Sequence, residues 1–294
     1  MSGSRAGSGA SGDQILLGLR HRKLLGNVPV FLVLGGVSIV MLLPLYLMVL
    51  MSLKTADRVF AYPPDLWFNS VTLSNFGDAI FRLMPFTLYL RNNLVISGLA
   101  IIGDVISASL VAYGFARYRF PGRDILFMVL LSTMMVPFVV RLVPLFVLFK
   151  SLGWINTFLP LVVPPFFGTP LYIFLMRQFF LTIPSELVDA ARIDGASEIG
   201  IWWRIMLPLA RPVLAAVAIL SFQTTWNDFL GPLVFLQRTE VKTIILGLNS
   251  LMGMFVEWNL VMAAVVVAVL PLIVMFFVFQ RFFVKGIAVT GMKG

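Results

Sequence analysis

The chain has 294 residues, of which 60% are hydrophobic and only 12% charged, and its mean hydropathy is +0.98. A soluble globular chain carries roughly a quarter charged residues, so this composition excludes most soluble classes and points to a protein embedded in lipid. The net charge of +9 does not indicate a nucleic-acid partner, because the Lys and Arg stand in short clusters between long apolar runs and not on one exposed face.

Cysteine is absent, which removes disulfides, thiolate metal sites and cysteine nucleophiles, and the single histidine, His21, lies in a polar stretch. No catalytic residue, metal site or cofactor is expected.

Residues 1–27 open with Gly and Ser repeats and cannot bury enough apolar surface to fold alone, so they read as a disordered tail. A bilayer core about 30 Å thick requires roughly 20 apolar residues at about 1.5 Å each. Six runs meet that requirement: 28–53, 94–116, 125–149, 157–176, 213–236 and 259–280. The first is too long for a signal-peptide core and lacks a small-residue cleavage pattern, so it is expected to remain as an anchor. The segment 54–93 mixes aromatic and charged positions, with a turn at Pro63-Pro64 and a short membrane-surface helix expected over 75–86. The segment 117–124 is a tight basic turn containing Pro121 and Gly122. The expected fold is an all-α membrane protein with six transmembrane helices over 28–284 and a cytoplasmic tail over 285–294. No repeat at a fixed period is present.

Orientation follows from the cations, because cytoplasmic loops carry the excess of Lys and Arg. Of the 22 cations, fourteen fall in one alternating set of segments, seven in the other, and Arg141 lies inside a span. This places both termini in the cytoplasm and assigns most basic clusters to topology and lipid headgroup contact.

The cytoplasmic segment between the fourth and fifth spans, 177–212, is far longer than two antiparallel helices need. Ser185 is placed to cap a helix over 186–193 whose first turn is acidic at Glu186. Asp194-Gly195 breaks it, with Gly195 free to take a left-handed conformation. Ser197 is placed as a second cap, before a helix over 198–207 stopped by Pro208. On that helix Ile199, Trp202, Trp203 and Met206 form an apolar stripe at i, i+3, i+4 and i+7. Such an element either lies in the membrane interface or receives a soluble partner.

The stretch Asp189-Ala190-Ala191, three residues, Gly195, nine residues, Ile205, one residue, Leu207-Pro208 resembles the EAA loop of ABC-importer permeases. The wider string IPSELVDAARIDGASEIGIWWRIMLPLARP resembles the carbohydrate branch of that family, with Asp189 standing where the family usually has Glu. Phe115-Ala116-Arg117-Tyr118-Arg119-Phe120-Pro121-Gly122, Trp226-Asn227-Asp228-Phe229 and the closing Gly291-Met292-Lys293-Gly294 are similar to the maltose-type second permease subunit. The resemblance implies the type I permease fold and a coupling loop over 184–212 that enters a cleft of a cytoplasmic ATPase. It assigns that contact to Glu186, Asp189, Ala190, Ala191, Asp194, Gly195, Ala196, Ser197, Leu207 and Pro208. It implies as partners a second, different permease subunit, two cytoplasmic ABC ATPase subunits and an extracytoplasmic sugar-binding protein, in the cell membrane and without nucleic acid. No Gly-x-x-x-x-Gly-Lys-Ser/Thr phosphate loop occurs, so ATP hydrolysis belongs to a partner.

Charges at membrane depth usually face a cavity or a partner. Asp104, Arg141 and Asp228 are the three found here, and Trp226, Asn227, Asp228 and Phe229 supply the aromatic and planar polar groups that bind sugars. These six positions are the candidate substrate pathway. Because successive helical positions diverge, Trp226 to Phe229 cannot all face one pore. An Asp104–Arg141 ion pair between spans and snorkelling of Arg141 to the outer interface are open alternatives. Prolines interrupt the spans at Pro44, Pro137, Pro144, Pro160, Pro164, Pro165, Pro170, Pro232 and Pro271, which suits a gated pathway. A proton-coupled secondary transporter using Asp104 or Asp228 is the competing reading, and it leaves the amphipathic loop without a purpose. A membrane enzyme with those two acids as a dyad is the third.

Overall fold

The computed structural model describes residues 28–69, 71–251 and 257–291. The tail expected over 1–27 and residues 292–294 lie outside them. Among the described residues the secondary structure is entirely helical. The principal helices are α1 (Val28–Ser52), α2 (Phe86–Arg117), α3 (Arg123–Ser132), α4 (Phe138–Ser151), α5 (Pro170–Thr182), α6 (Ser185–Ile193), α7 (Glu198–Ile201), α8 (Arg211–Trp226), α9 (Leu230–Phe235) and α10 (Trp258–Gly291).

Helix α1 is apolar all round and exposed along most of its length, the condition of a helix that lies in lipid or against another subunit. It packs on α10. Its C-terminal carbonyls are closed by the segment that follows it: the Asn75 carboxamide donates to Ser52 O at 2.9 Å and Lys54 O at 2.7 Å. Asn259 of α10 in turn donates to Asn75 Oδ1 at 3.2 Å. The surface helix expected over 75–86 is therefore a shorter helix, Ser74–Asp78, followed by a wide turn, Ala79–Leu83, and it is sunk into the fold at Asn75 and Ala79.

Helix α2 is the centre of the bundle, packing against α5, α8 and the Pro164–Phe167 turn. It begins at Phe86, not at residue 94. Hydropathy falls at Asn92-Asn93, but both side chains are buried and satisfied, so the helix runs on through them. Asn92 Nδ2 donates to Glu240 O and Lys242 O, each at 2.9 Å. Asn93 Nδ2 donates to Trp226 O, and its Oδ1 accepts from Ile244 N, both at 3.3 Å.

The other expected spans are broken or displaced at identifiable residues. The run 125–149 is not one rod, because α3 and α4 meet at 97°. Val136, forced extended by the following proline, and Pro137, at φ −58° and ψ 141°, form the corner. The fourth helical stretch passes through Leu159–Val162 and the Pro164–Phe167 turn, is interrupted at Gly168 with φ +97°, and continues as α5 to Thr182, so that Leu159–Thr182 is one span. It extends beyond residue 176 because Arg177 is sheltered, its guanidinium 4.2 Å from the centroid of the Phe127 ring. The run 213–236 divides at Asn227 into α8 and α9. The last helix does not stop at Gln280 but continues to Gly291, through much of the segment read as a tail.

The broken fourth stretch fits α2 through one glycine and one serine. A Cβ on Gly103 would lie 2.6 Å from the Phe166 ring, so only glycine admits that ring. Ser107 Oγ donates at 2.8 Å to Pro165 O, a carbonyl at the helix break. Gly103→Ala is therefore expected to destabilise the purified protein by about 1–3 kcal/mol through overpacking. Gly98→Ala on the same helix meets nothing within 4 Å, and is expected to be neutral or slightly stabilising, as for any Gly→Ala in a helix. Thermal unfolding of both variants in detergent checks the contrast.

Candidate functional site

The segment 184–212 folds as a helix, a glycine turn and a second helix. Ser185 is the first residue of α6 and makes no capping bond; Pro184 occupies the cap position. At the other end Ala196 N donates to Ala191 O at 2.9 Å and Gly195 N to Arg192 O at 3.0 Å, with Gly195 at φ +80°. This is a Schellman closure, which needs the left-handed glycine. Ser197 caps α7 by accepting from Gly200 N at 3.2 Å. Helix α7 continues as a π turn, Trp202–Met206, and a last turn, Leu207–Leu209, so Pro208 sits inside the helical run and does not stop it. The chain then turns by 83° into α8.

The π turn changes which face is buried. Its i to i+5 bonds bring Ile201 and Met206 to one side. Both are fully buried and Trp202 is nearly so, whereas Ile199 and Trp203 are 72% and 62% exposed. Of the expected stripe at 199, 202, 203 and 206, Trp202 and Met206 are buried, Ile199 and Trp203 are not, and Ile201 joins the buried pair. These join Val188 and Ala191 of α6, Tyr113 of α2 and Phe180 of α5 in one core. Ala191 faces this core and not the outside, because it stands three residues after Val188 on the inner face of α6. Glu186, Asp189, Ala190, Asp194, Gly195, Ala196, Ser197 and Pro208 are exposed, and Leu207 is half-buried.

A polar network lies along the edge of that core. Arg192 donates through Nε to Glu198 Oε1 at 2.7 Å and through Nη1 to Asp189 Oδ1 at 3.2 Å. Tyr113 Oη donates to Glu198 Oε2 at 2.6 Å. Arg117, at the end of α2, donates to Phe180 O and Ile183 O, each at 2.8 Å. The Arg192 and Tyr113 hydrogen bonds lower the Glu198 carboxyl from its ordinary 4.5 to about 2.

The candidate pathway residues do not converge. Asp104 is buried and accepts from Thr169 Oγ1 at 2.6 Å and Ser221 Oγ at 2.7 Å, joining α2 to the start of α5 and to α8. The Asp104–Arg141 ion pair is not formed. Helix α4 turns away at the Pro137 corner and packs on α9, leaving Arg141 exposed, its guanidinium 5.8 Å from the Phe138 ring centroid. Trp226 is buried, stacks on Phe222 at 5.1 Å and donates to Ala268 O at 3.2 Å, which is a packing role. Asn227 is exposed at the break. Asp228 caps α9 by accepting from Gly231 N at 3.1 Å. Phe229 packs against Ile96, Val162, Leu236 and Leu246.

Sequence reasoning missed Asn75, Asn92, Asn93, Tyr113, Thr169 and Ser221. The readable signal was the paired carboxamides at the rim of an apolar run, each able to satisfy both a backbone N–H and a C=O.

Lowering of the Glu198 pKa means that folding is favoured by its ionised form. That contribution is complete above 4.5, and declines as the pH falls through that value towards about 2. Unfolding midpoints of the wild type and Glu198→Gln are therefore expected to differ by a constant amount above pH 4.5 and to converge as the pH is lowered towards 2.

Comparison with known proteins gives this geometry its context. Residues 105–289 match the family described as binding-protein-dependent transport system inner membrane component. The arabinooligosaccharides transport system permease protein AraQ of Halalkalibacterium halodurans is 34% identical over 261 residues, covering 88% of this chain and 93% of that one. The sn-glycerol-3-phosphate transport system permease protein UgpE of Yersinia pestis bv. Antiqua is 32% identical over 267 residues, covering 88% and 94%. The fold is shared with a chain in the crystal structure of a bacterial ABC transporter involved in the import of the acidic polysaccharide alginate, with a TM-score of 0.79 and 23% identity. That match covers 90% of this chain and 98% of the other. These findings set aside the proton-coupled and enzymatic alternatives. The chain belongs to the family of binding-protein-dependent transport system inner membrane components, as a non-catalytic permease subunit of an ABC importer.

Proposed function

We propose that the importer carries a sugar or oligosaccharide delivered by an extracytoplasmic binding protein, and that two ATPase subunits drive this permease through residues 184–212. The observation that carries the coupling assignment is the two-sidedness of the loop. Val188, Ala191, Ile201 and Met206 are sunk in the permease core, while Asp189, Ala190, Asp194, Gly195 and Ala196 stand exposed on the other side. With that base buried, the acidic and small residues Asp189, Ala190, Asp194, Gly195 and Ala196, together with the exposed apolar Ile193, Ile199 and Trp203, are open to a soluble partner.

The carbohydrate assignment is supported by the likeness of the 183–212 string to the carbohydrate branch and by relatives named for arabinooligosaccharide and sn-glycerol-3-phosphate transport. The excess of cations on one side supports cytoplasmic termini. The exposed apolar length of α1 and of α3 and α4 leaves surface for lipid and a second permease chain; that this second chain is a different one rests on the likeness to the carbohydrate branch. Of the candidates Trp226 to Phe229, Asn227 is the one exposed, at the break after α8, and is retained as the residue that meets solute; Asp104 and Trp226 serve the bundle itself. Closure of the ATPase pair would carry the loop with it and shift the attached helices, exchanging an inward-open pathway for an outward-open one.

Two outcomes test this reading. Gly195→Pro removes the left-handed turn and the Gly195 N–H bond. It is expected to leave the chain in the membrane and to abolish uptake; normal uptake would contradict the lever. Uptake of arabinooligosaccharide by cells carrying the complete importer is expected to stop on ATP depletion and to survive an uncoupler while ATP is maintained. The reverse pattern would contradict ATP coupling.

A further inference from the structure

Apolar contact is non-directional and lets packed elements slide, whereas a hydrogen bond to a charged group fixes position. The loop shares a broad apolar core with α2 and α5; Arg117 of α2 holds the chain just before it at Ile183 O, and the link from α2 into the loop's own helices is made at Glu198. Arg192 clasps Glu198 and Asp189 together, which locks α6 and α7 across the Gly195 turn into one unit. Tyr113 then ties that unit to α2 at 2.6 Å.

Tyr113 is well suited to bear load. It is 3% exposed, and its ring is held edge-on between Phe180 at 6.5 Å and Tyr118 at 6.0 Å, so its hydroxyl has little freedom. Glu198 occupies the first turn of α7, where a negative charge is favoured by the helix dipole. Farther along α2, about 14 Å from Tyr113 at 1.5 Å per residue, Asp104 grips Thr169 and Ser221. A displacement entering α2 at Tyr113 therefore reaches the start of α5 and the middle of α8.

We propose that Glu198 and Tyr113 are a positioning pair that makes α2 follow the loop, so that the loop moves the bundle through this charge-assisted hydrogen bond, beyond packing and the Arg117 bond to Ile183 O. This rests on the reading of 184–212 as the ATPase-driven element. A bond that merely stabilised the fold would, on removal, lower the unfolding midpoint without separating movement of the loop from movement of α2.

The test uses the complete importer, with its ATPase, in lipid nanodiscs. The absence of native cysteine allows spin labels to be placed in this subunit without background. One pair reports the loop, Leu32→Cys on α1 with Arg204→Cys; a second reports the outer end of α2, Leu32→Cys with Arg91→Cys. All three positions are exposed. ATP with vanadate is the trigger. The wild-type background is expected to show displacement at both reporters. Tyr113→Phe is expected to retain co-purification with the ATPase and the loop displacement, while displacement of α2 falls by about twofold or more. Glu198→Gln provides the same test from the other partner, and the double variant is expected to be no worse than the more affected single variant. Full α2 displacement in both single variants would overturn the proposal and leave the loop assignment standing. A loop reporter that stays still in the wild-type background would overturn the loop assignment and the pair with it.

Discussion

Lipid offers no hydrogen bonds, so every polar backbone group freed by a break in a membrane helix must find a partner inside the protein, at a cost of several kcal/mol if it does not. In this permease the partners come largely from α2. Asn92 and Asn93 hold the N-terminal part of α2 to the end of α8 and to the 240–244 segment through Glu240 O, Lys242 O, Trp226 O and Ile244 N. Ser107 satisfies Pro165 O at the break before α5. Arg117 closes the carbonyls at the end of α5. The breaks at Gly168, Asn227 and Ala210 are tolerated because a single unbroken helix stands beside them.

That arrangement explains what was legible in the sequence. Long apolar runs and the cation asymmetry reveal a polytopic membrane protein, and the spacing from Asp189 to Pro208 reveals the loop, because both signals are local and read along one chain. The limits of the helices were less legible. Asn92-Asn93 depressed hydropathy at a place where partners distant in sequence satisfy them, and Pro137 allowed a bent corner where composition alone suggested a rod. The apolar stripe of the second loop helix was half legible: Trp202 and Met206 are buried, but Ile199 and Trp203 face out and Ile201 faces in, because the core lies to one side of the expected stripe.

The pathway residues illustrate a second limit. Asp104, Arg141 and Asp228 are conspicuous as charges in apolar runs, but composition does not distinguish a group that meets solute from one that holds helices together. The structure gives Asp104 two hydroxyl donors and Asp228 a helix cap, both internal tasks. Arg141 remains exposed on a helix that turns away from the bundle core.

One continuous path of contacts runs from an exposed acidic and small-residue surface, through a buried apolar base, to the central helix. The most direct measurement of that path is disulfide or short-linker cross-linking of single-cysteine permeases to a partner ATPase in native membranes. The account predicts cross-links from Ala190→Cys and Ala196→Cys, which are exposed, and none from Ala191→Cys, which is buried against the permease itself. Failure at Ala190 and Ala196, with capture of the ATPase from the 54–93 segment instead, would contradict both the loop assignment and the orientation of the chain.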